Sequence, residues 1–377
     1  MNSGYKSAAI AAEAKPLPQP LAGRKAAILV ADNFQIHEAY YPYFRLKEAG
    51  MDVFFIGDEA PKIYHDYHGE PLVSDLAIEV ALEQEFDFIH CPGGFAPMKL
   101  RADSRMLQLT RKHVEAGKLL SAICHAGSFL VALEVLNGRR ATCYHTLKDD
   151  LVNAGAVYID RAPVIDGNLI TAREPRDLPP FMEAVVAWFE AGGETAAKIP
   201  RSNRMEDRTI GILLEPRYQA QQVWYPYYRF QSEGAAVQLI GGKKGDVCHS
   251  RISQLEAQCD LSPGKALERD FDALLVPGDW AADKMRVNRP FLDLVRRHLE
   301  SGRLLVSVAE GHSVLISTGV LAGRKIAGSA EMKWDLANCG AEPVDRPVVA
   351  DRNLITARDT TDLPELLRWV LGYLERA

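Results

Sequence analysis

The chain has 377 residues, 47% of them hydrophobic and 25% charged, which is the mix of a soluble globular protein and not of a disordered one. That length exceeds one ordinary core and fits two domains of about 150 to 200 residues each. With 44 basic against 50 acidic side chains the formal net charge is -6, so no global basic field exists to hold a phosphate backbone, and no nucleic-acid partner is expected.

The chain opens with a short apolar run, Ala8 to Ala12, broken by Glu13 and Lys15 and followed by Pro16, Pro18 and Pro20. The run is too short for a signal peptide or a membrane span, so residues 1–22 are expected to be a flexible arm and no membrane partner is expected. Ala26 to Val30 then reads as a buried strand with its turn at Asp32-Asn33, and a helical pattern continues through Tyr43, Leu46 and Ala49 to Gly50. Strands at Val53 to Ile56 and Phe86 to His90, a helix from Met106 to Ala116, a strand from Leu119 to Ile123 and a helix from Gly127 complete the pattern. Strands alternating with helices mean parallel strands joined by crossovers, hence a doubly wound α/β sheet that receives ligands at the carboxyl ends of its strands.

The pattern is written twice. Tyr41-Pro42-Tyr43 recurs as Tyr225-Pro226-Tyr227, Pro92-Gly93 as Pro277-Gly278, and the run from Asn168 to Arg173 as that from Asn353 to Arg358. The offset is 184 at the first landmark and 185 at the others. Two tandem domains are therefore expected, at 23–192 and 207–377, with 193–206 as the linker.

Three segments place polar residues at strand ends. In the run Leu119 to Ser128 a buried strand ends in Cys124-His125 and small residues open the next helix. Small neighbours are what a nucleophile on a tight strand-to-helix turn needs, and a helix N-terminus favours thiolate over thiol; a lone cysteine can equally be a buried structural residue. His90-Cys91-Pro92-Gly93-Gly94 ends another strand with glycines that let backbone N–H groups approach a ligand. Glu38 stands in the first turn of a helix, as a dipole partner or as a proton-carrying group. Tyr144, His145 and Arg173 follow further strands. The histidines at 37, 65, 68 and 113 show no ligand spacing, so no metal is assigned, and the absence of GxGxxG and Walker patterns supports no nucleotide cofactor. Six cysteines without a CxxC pair are expected to be mostly reduced thiols of a cytoplasmic protein.

With Glu38, Gly93-Gly94 and Ala122-Ile123-Cys124-His125 in this order and spacing, the sequence resembles the DJ-1/PfpI superfamily over nearly its whole length, once per copy. The runs Tyr41 to Gly50 and Lys148 to Gly155 look most like the PfpI branch, and tandem copies in one chain are similar to plant members with glyoxalase activity. The resemblance implies a flavodoxin-like sandwich in each copy. It makes Cys124 the nucleophile of a strained elbow, Glu38 its carboxylate partner, Gly94 and the backbone of His125 the oxyanion-binding positions, and Tyr144 the neighbour of the nucleophile. In copy two these positions hold Ala309, Gln222, Asp279, Glu310 and Ser329, so that copy is expected to be degenerate. In the PfpI branch an acid from a neighbouring subunit orients the histidine after the nucleophile. The matching position is Met98 in copy one and Asp283 in copy two. This suggests a composite site in a homo-oligomer, most simply a trimer of tandem chains; Asp283 as a plain surface acid is the other reading.

Two functions follow. One is a cysteine-dependent enzyme acting on a small carbonyl or amide substrate, with Glu38 shuffling protons in glyoxalase-type chemistry or His125 protonating a leaving amine in hydrolysis. The other is a redox-sensing or chaperone-like stress protein in which Cys124 is oxidised to a sulfinate.

Overall fold

A computed structural model of the chain describes residues 15–193 and 203–377. The chain divides between residues 18 and 19 and again between 201 and 202, giving one compact unit per copy, with the residues before Gln19 grouped with copy two. The arm residues 1–14 and the linker residues 194–202 lie outside the described residues.

In copy one seven strands make the sheet: β1 (Lys25–Leu29), β2 (Asp52–Gly57), β3 (Leu76–Ala77), β4 (Phe88–Cys91), β5 (Leu119–Ile123), β6 (Val164–Asp166) and β7 (Leu169–Ala172). Across the sheet they run β6-β7-β5-β4-β1-β2-β3, and every pair is parallel except the β6/β7 hairpin. Strands β4, β5 and β7 are buried at every residue. That is why they appear in the sequence as largely apolar runs, as strands covered on both faces do, each with one buried polar residue: His90, Ser121 and Thr171. The helices that cover them include α1 (Ile36–Glu48), α2 (Ser104–Glu115), α3 (Gly127–Leu133) and α4 (Leu178–Glu190). Winding reverses at β1, which has β2 on one side and β4 on the other, so the carboxyl ends of β1, β4 and β5 stand side by side where a doubly wound sheet binds ligands.

Copy two repeats the plan with β8 (Thr209–Leu213), β9 (Ala236–Ile240), β10 (Val247–His249), β11 (Glu256–Gln258), β12 (Ala273–Val276), β13 (Leu304–Val308), β14 (Val348–Asp351) and β15 (Leu354–Ala357). Six of these form a sheet in the order β9-β8-β12-β13-β15-β14, while β10 and β11 pair with each other as a separate antiparallel ribbon. Its helices include α5 (Ala220–Ser232), α6 (Trp280–Arg286), α7 (His312–Thr318) and α8 (Leu363–Leu374). The repeat extends to register: Leu120 faces Leu169 in copy one, and Leu305 faces Leu354 in copy two, each shifted by the offset of 185.

The described part of the arm is held rather than free. The backbone N–H of Leu17 donates to the Arg368 carbonyl at 3.1 Å, and Nε of Arg368 donates back to the Leu17 carbonyl at 2.7 Å, so this segment lies along α8. Leu21 is buried, and its N–H donates to the Ala49 carbonyl at 2.8 Å. Residues 15–19, with Pro16 and Pro18, pass without regular structure into a turn over 20–23, where the N–H of Ala22 donates to the Gln19 carbonyl at 3.3 Å. Among the described residues no helix is long and apolar enough to cross a membrane.

Candidate active site

Three carboxyl-end loops converge on Cys124. The cysteine follows β5 directly, opens a short 3-10 turn and sits at φ 61, a left-handed conformation uncommon for a residue with a side chain and costing on the order of 1 to 3 kcal/mol. Gly127, the first residue of α3, has no room for a side chain, because a Cβ there would lie 2.8 Å from Cβ of Cys143 and 2.9 Å from Cδ1 of Leu151. The small residues around the elbow are thus required by close packing behind it.

Glu38 reaches the elbow from the first turn of α1. Its helix is capped by the side chain of Gln35, whose Oε1 accepts from the N–H groups of His37 at 2.6 Å and Glu38 at 3.1 Å. The Glu38 carboxyl is fully buried and does not serve the helix end: Oε2 accepts from the N–H of Gly93 at 2.8 Å. Oε1 has no partner of ordinary hydrogen-bond geometry, and the carboxyl group as a whole interacts with the Cys124 thiol. Burial pushes the Glu38 carboxyl up to about 8, with nearby Asp177 and Glu174 adding to the shift, although the bonds from Gly93 and Cys124 oppose it. At neutral pH Glu38 therefore carries its proton and can donate to sulfur.

The glycine pair has a steric reason. A Cβ on Gly93 would lie 2.7 Å from both Cβ of Cys124 and Oε2 of Glu38 and 2.9 Å from the N of His125. Gly94 has φ 75 and its backbone packs against residues 33 to 35. Together they bring the N–H of Gly94 to the sulfur, joined there by the N–H of His125. Burial and the Glu38 carboxyl push the Cys124 thiol up, and these two N–H groups pull the other way. The helix terminus expected to make a thiolate is thus outweighed by burial, and charge at sulfur depends on the proton that Glu38 holds.

His125 lies on the outer side of the sulfur, with Nδ1 3.3 Å from Sγ and its ring stacked on Tyr144 at a centroid distance of 4.8 Å. Burial lowers its pKa, and neighbouring His145 lowers it further. Phe95, 64% exposed, approaches the same imidazole at 6.0 Å. Asp283 stands exposed in the first turn of α6, and Met98 is exposed in the helix Ala96–Leu100.

Arg173 is engaged elsewhere. Its Nε and NH2 donate to the two Asp177 oxygens at 3.1 Å each, and NH1 to Asp160 at 3.0 Å. The same triangle recurs in copy two as Arg358 with Asp345 and Asp362, where no cysteine stands, so it belongs to the fold. Arg173→Ala should accordingly lower the melting temperature, by a cost of about 1 kcal/mol, and leave KM unchanged. A raised KM at unchanged stability would restore a substrate role.

Two groups to which the sequence assigned no role complete the site. His90, fully buried at the end of β4, accepts or donates at Nδ1 to Ser121 Oγ and bonds the Glu38 carbonyl through Nε2, both at 2.8 Å. Burial lowers it to about 4, so it is neutral and needs both partners. It fixes the start of α1 against the sheet and thereby positions Glu38. The sequence carried a signal for it, since copy two holds Leu275 and Val306 at the two positions. Tyr67, whose hydroxyl accepts from Gln35 Nε2 at 3.4 Å, stands close enough to Glu38 and Cys124 for their charge to raise its pKa further, after burial has done most of it.

The family model described as the DJ-1/PfpI family matches this chain twice, over residues 24–188 and 208–372. The chain belongs to the DJ-1/PfpI family. Protein DJ-1 homolog D of Arabidopsis thaliana is 27% identical, covering 93% of this chain and 97% of its own length. Deglycase PfpI of Pyrococcus furiosus is 38% identical over 43% of this chain and 97% of its own, and the putative cysteine protease YraA of Bacillus subtilis 39% identical over 42% and 94%. One DJ-1/PfpI unit of the single-copy relatives thus corresponds to about half of the chain.

The second DJ-1/PfpI copy keeps the scaffold of the site without its chemistry. Ala309 occupies the elbow at φ 48, so the strained turn is a property of the fold rather than of the thiol. Gln222 takes the place of Glu38: its Oε1 accepts from the N–H of Gly278 at 2.6 Å, and its Nε2 donates to Thr360 Oγ1 at 2.8 Å. Glu310 takes the place of His125, and its Oε2 accepts from the N–H of Asp279 at 3.0 Å. The backbone donor that Gly94 offers in copy one is here occupied by the chain's own carboxylate.

Proposed function

We propose that copy one is a cysteine-nucleophile active site for small carbonyl compounds, of the glyoxalase or deglycase type. The observation that carries this reading is the fully buried Glu38 carboxyl, held protonated between Gly93 and the Cys124 sulfur. Loss of one proton from the pair, followed by transfer of the Cys124 proton to the Glu38 carboxylate, leaves one proton on Glu38 and a thiolate able to add to an aldehyde carbon. The N–H groups of Gly94 and His125 face the oxygen that becomes negative in this step. Glu38 gives its proton to that oxygen. As a carboxylate it then takes the proton from the carbon bonded to sulfur and returns it to the adjacent carbonyl carbon, while the hydroxyl proton of the adduct passes to the neighbouring oxygen, which turns a 2-oxoaldehyde adduct into the thioester of a 2-hydroxy acid. Water cleaves the thioester to a 2-hydroxy acid and restores the thiol.

Relatives named as deglycases support carbonyl chemistry, and a relative named as a putative cysteine protease supports a sulfur nucleophile. Hydrolysis of amides would instead rest on His125 giving a proton to a leaving amine. No described acidic residue bonds its ring within copy one, so that route needs an orienting acid from elsewhere, for which Asp283 of a neighbouring copy two is the candidate. Free thiols throughout the described residues fit a reducing, cytoplasmic setting.

The test is a panel of methylglyoxal and simple amides offered to the purified chain: consumption of the oxoaldehyde with release of its 2-hydroxy acid supports the reading, and amide cleavage alone overturns it. For the composite site, Asp283→Asn should depress amide turnover and shift its pH profile if the chain is a trimer. A solution mass of one chain by light scattering, or equal kinetics for the two proteins, removes Asp283 from the mechanism.

A further inference from the structure

The β10/β11 ribbon stands apart from the main sheet of copy two and pairs Val247 with Gln258, Cys248 with Ala257 and His249 with Glu256. Beyond β11 the chain stays alongside, with the N–H of Cys259 donating to the Asp246 carbonyl at 2.9 Å and the N–H of Gly245 donating to the Cys259 carbonyl at 2.8 Å. This continuation brings Cys248 and Cys259 together on the inner face, their Sγ atoms 3.9 Å apart and both side chains buried. Among the described residues no other two sulfurs come within such reach. Gly241 makes the room, because a Cβ there would lie 2.9 Å from the Cys259 sulfur. Copy one has Tyr64 and Ser74 at the corresponding positions, so the pair is particular to copy two and stands apart from the elbow.

We propose that Cys248 and Cys259 are an oxidisable dithiol site that closes to an intrachain disulfide on exposure to hydrogen peroxide. The sulfurs must move from 3.9 Å to a bond of about 2.05 Å, a distance that side-chain rotation and a small adjustment of the ribbon can cover. The way in is the ribbon itself, whose residues 242 to 247 are exposed and include Gly242 and Gly245 at positive φ, so local opening needs no disruption of the six-stranded sheet. The two thiols share a hydrogen bond that raises Cys248 and lowers Cys259, in surroundings that Glu215 and Asp246 make acidic. Cys259 is therefore the first to react. Its thiolate attacks one peroxide oxygen and displaces hydroxide, which takes up a proton, giving a sulfenic acid and water. The Cys248 thiolate then attacks the sulfenic sulfur and expels the hydroxyl group, which leaves as a second water with the Cys248 proton. Two thiols and one peroxide thus become one disulfide and two waters, each sulfur losing one electron and the peroxide gaining two.

The test reads mass and not turnover, so it is independent of the role of Cys124. The full chain is treated with peroxide, its remaining thiols are alkylated in denaturant without reductant, and it is cut with trypsin. Cleavage after Lys244, Arg251 and Lys265 separates the two cysteines. The expected product is the peptide 245–251 joined to 252–265, two hydrogens lighter than their sum, absent before treatment and lost with dithiothreitol. Cys248→Ser should abolish the joined peptide and leave Cys259 oxidised singly. Recovery of both peptides alkylated after a dose that oxidises Cys124, or of Cys259 as an unlinked sulfinate in the unaltered chain, overturns the proposal.

Discussion

Cys124→Ala should abolish oxoaldehyde consumption, by on the order of 10³-fold or more, while the chain remains folded. The substitution is unusually clean because the molecule already contains its outcome: Ala309 sits in the equivalent elbow at φ 48, close to the φ 61 of Cys124, so alanine tolerates the strained turn. Its smaller side chain leaves Glu38 in place, since the bond from Gly93 does not involve sulfur. Loss of turnover with an unchanged circular dichroism spectrum and melting temperature is the expected result, and it is measured on the same preparation. Residual turnover within a factor of a few of the unaltered chain would remove the sulfur nucleophile and with it the proposed mechanism.

Glu38→Gln should have the second largest effect, and in two opposite directions. Turnover should fall by on the order of 10² to 10⁴-fold, because an amide cannot pass a proton between oxygen and carbon. Stability should move the other way. In the folded chain Glu38 keeps its proton up to about pH 8, whereas the ordinary carboxyl of an unfolded chain loses it near 4.5. Between those values the folded state binds more protons than the unfolded one, so its stability falls as pH rises through the window and levels off above it, by a few kcal/mol, about 1.4 for each pH unit crossed. Glutamine removes that loss, and Gln222 demonstrates that an amide can accept the same glycine N–H. The Nε2 group is less well served, because the counterpart of Thr360 in copy one is Pro175. The variant's melting temperature should therefore gain on that of the unaltered chain from pH 5 to pH 8, even if it starts lower. Parallel melting curves across that range would mean that Glu38 is ionised in the folded chain, and unchanged turnover would deny it the proton transfer.

Much of this could be read before any coordinates. The repeat gave both sheets, since an offset of 185 carries the pairing of Leu120 with Leu169 onto that of Leu305 with Leu354. Fully buried parallel strands announce themselves as apolar runs, and β5 was placed to the residue. Glu38, Gly93, Gly94, Cys124 and His125 meet at the elbow, and Tyr144, expected beside the nucleophile, lies with its ring stacked on His125. What could not be read was direction and competition. Arg173 ends a strand near the site, yet which acid takes its guanidinium depends on side-chain geometry that spacing does not encode. The charge state of Cys124 turned on burial, a property of the assembled sheet rather than of the helix that follows it. The His90 bond to Glu38 spans 52 residues, so only the comparison of the two copies hinted at it.

The bond from the Asp279 backbone to the Glu310 carboxyl means that more than the missing thiol separates copy two from copy one. A cysteine in place of Ala309 would not be enough, since the new thiol would stand beside a carboxyl group that already takes the backbone donor. Glu310 and Gln222 would have to change as well, and none of these changes brings turnover without the others. The two halves thus share a frame and differ by an interlocked set of side chains, so no single substitution carries the chemistry proposed for one into the other.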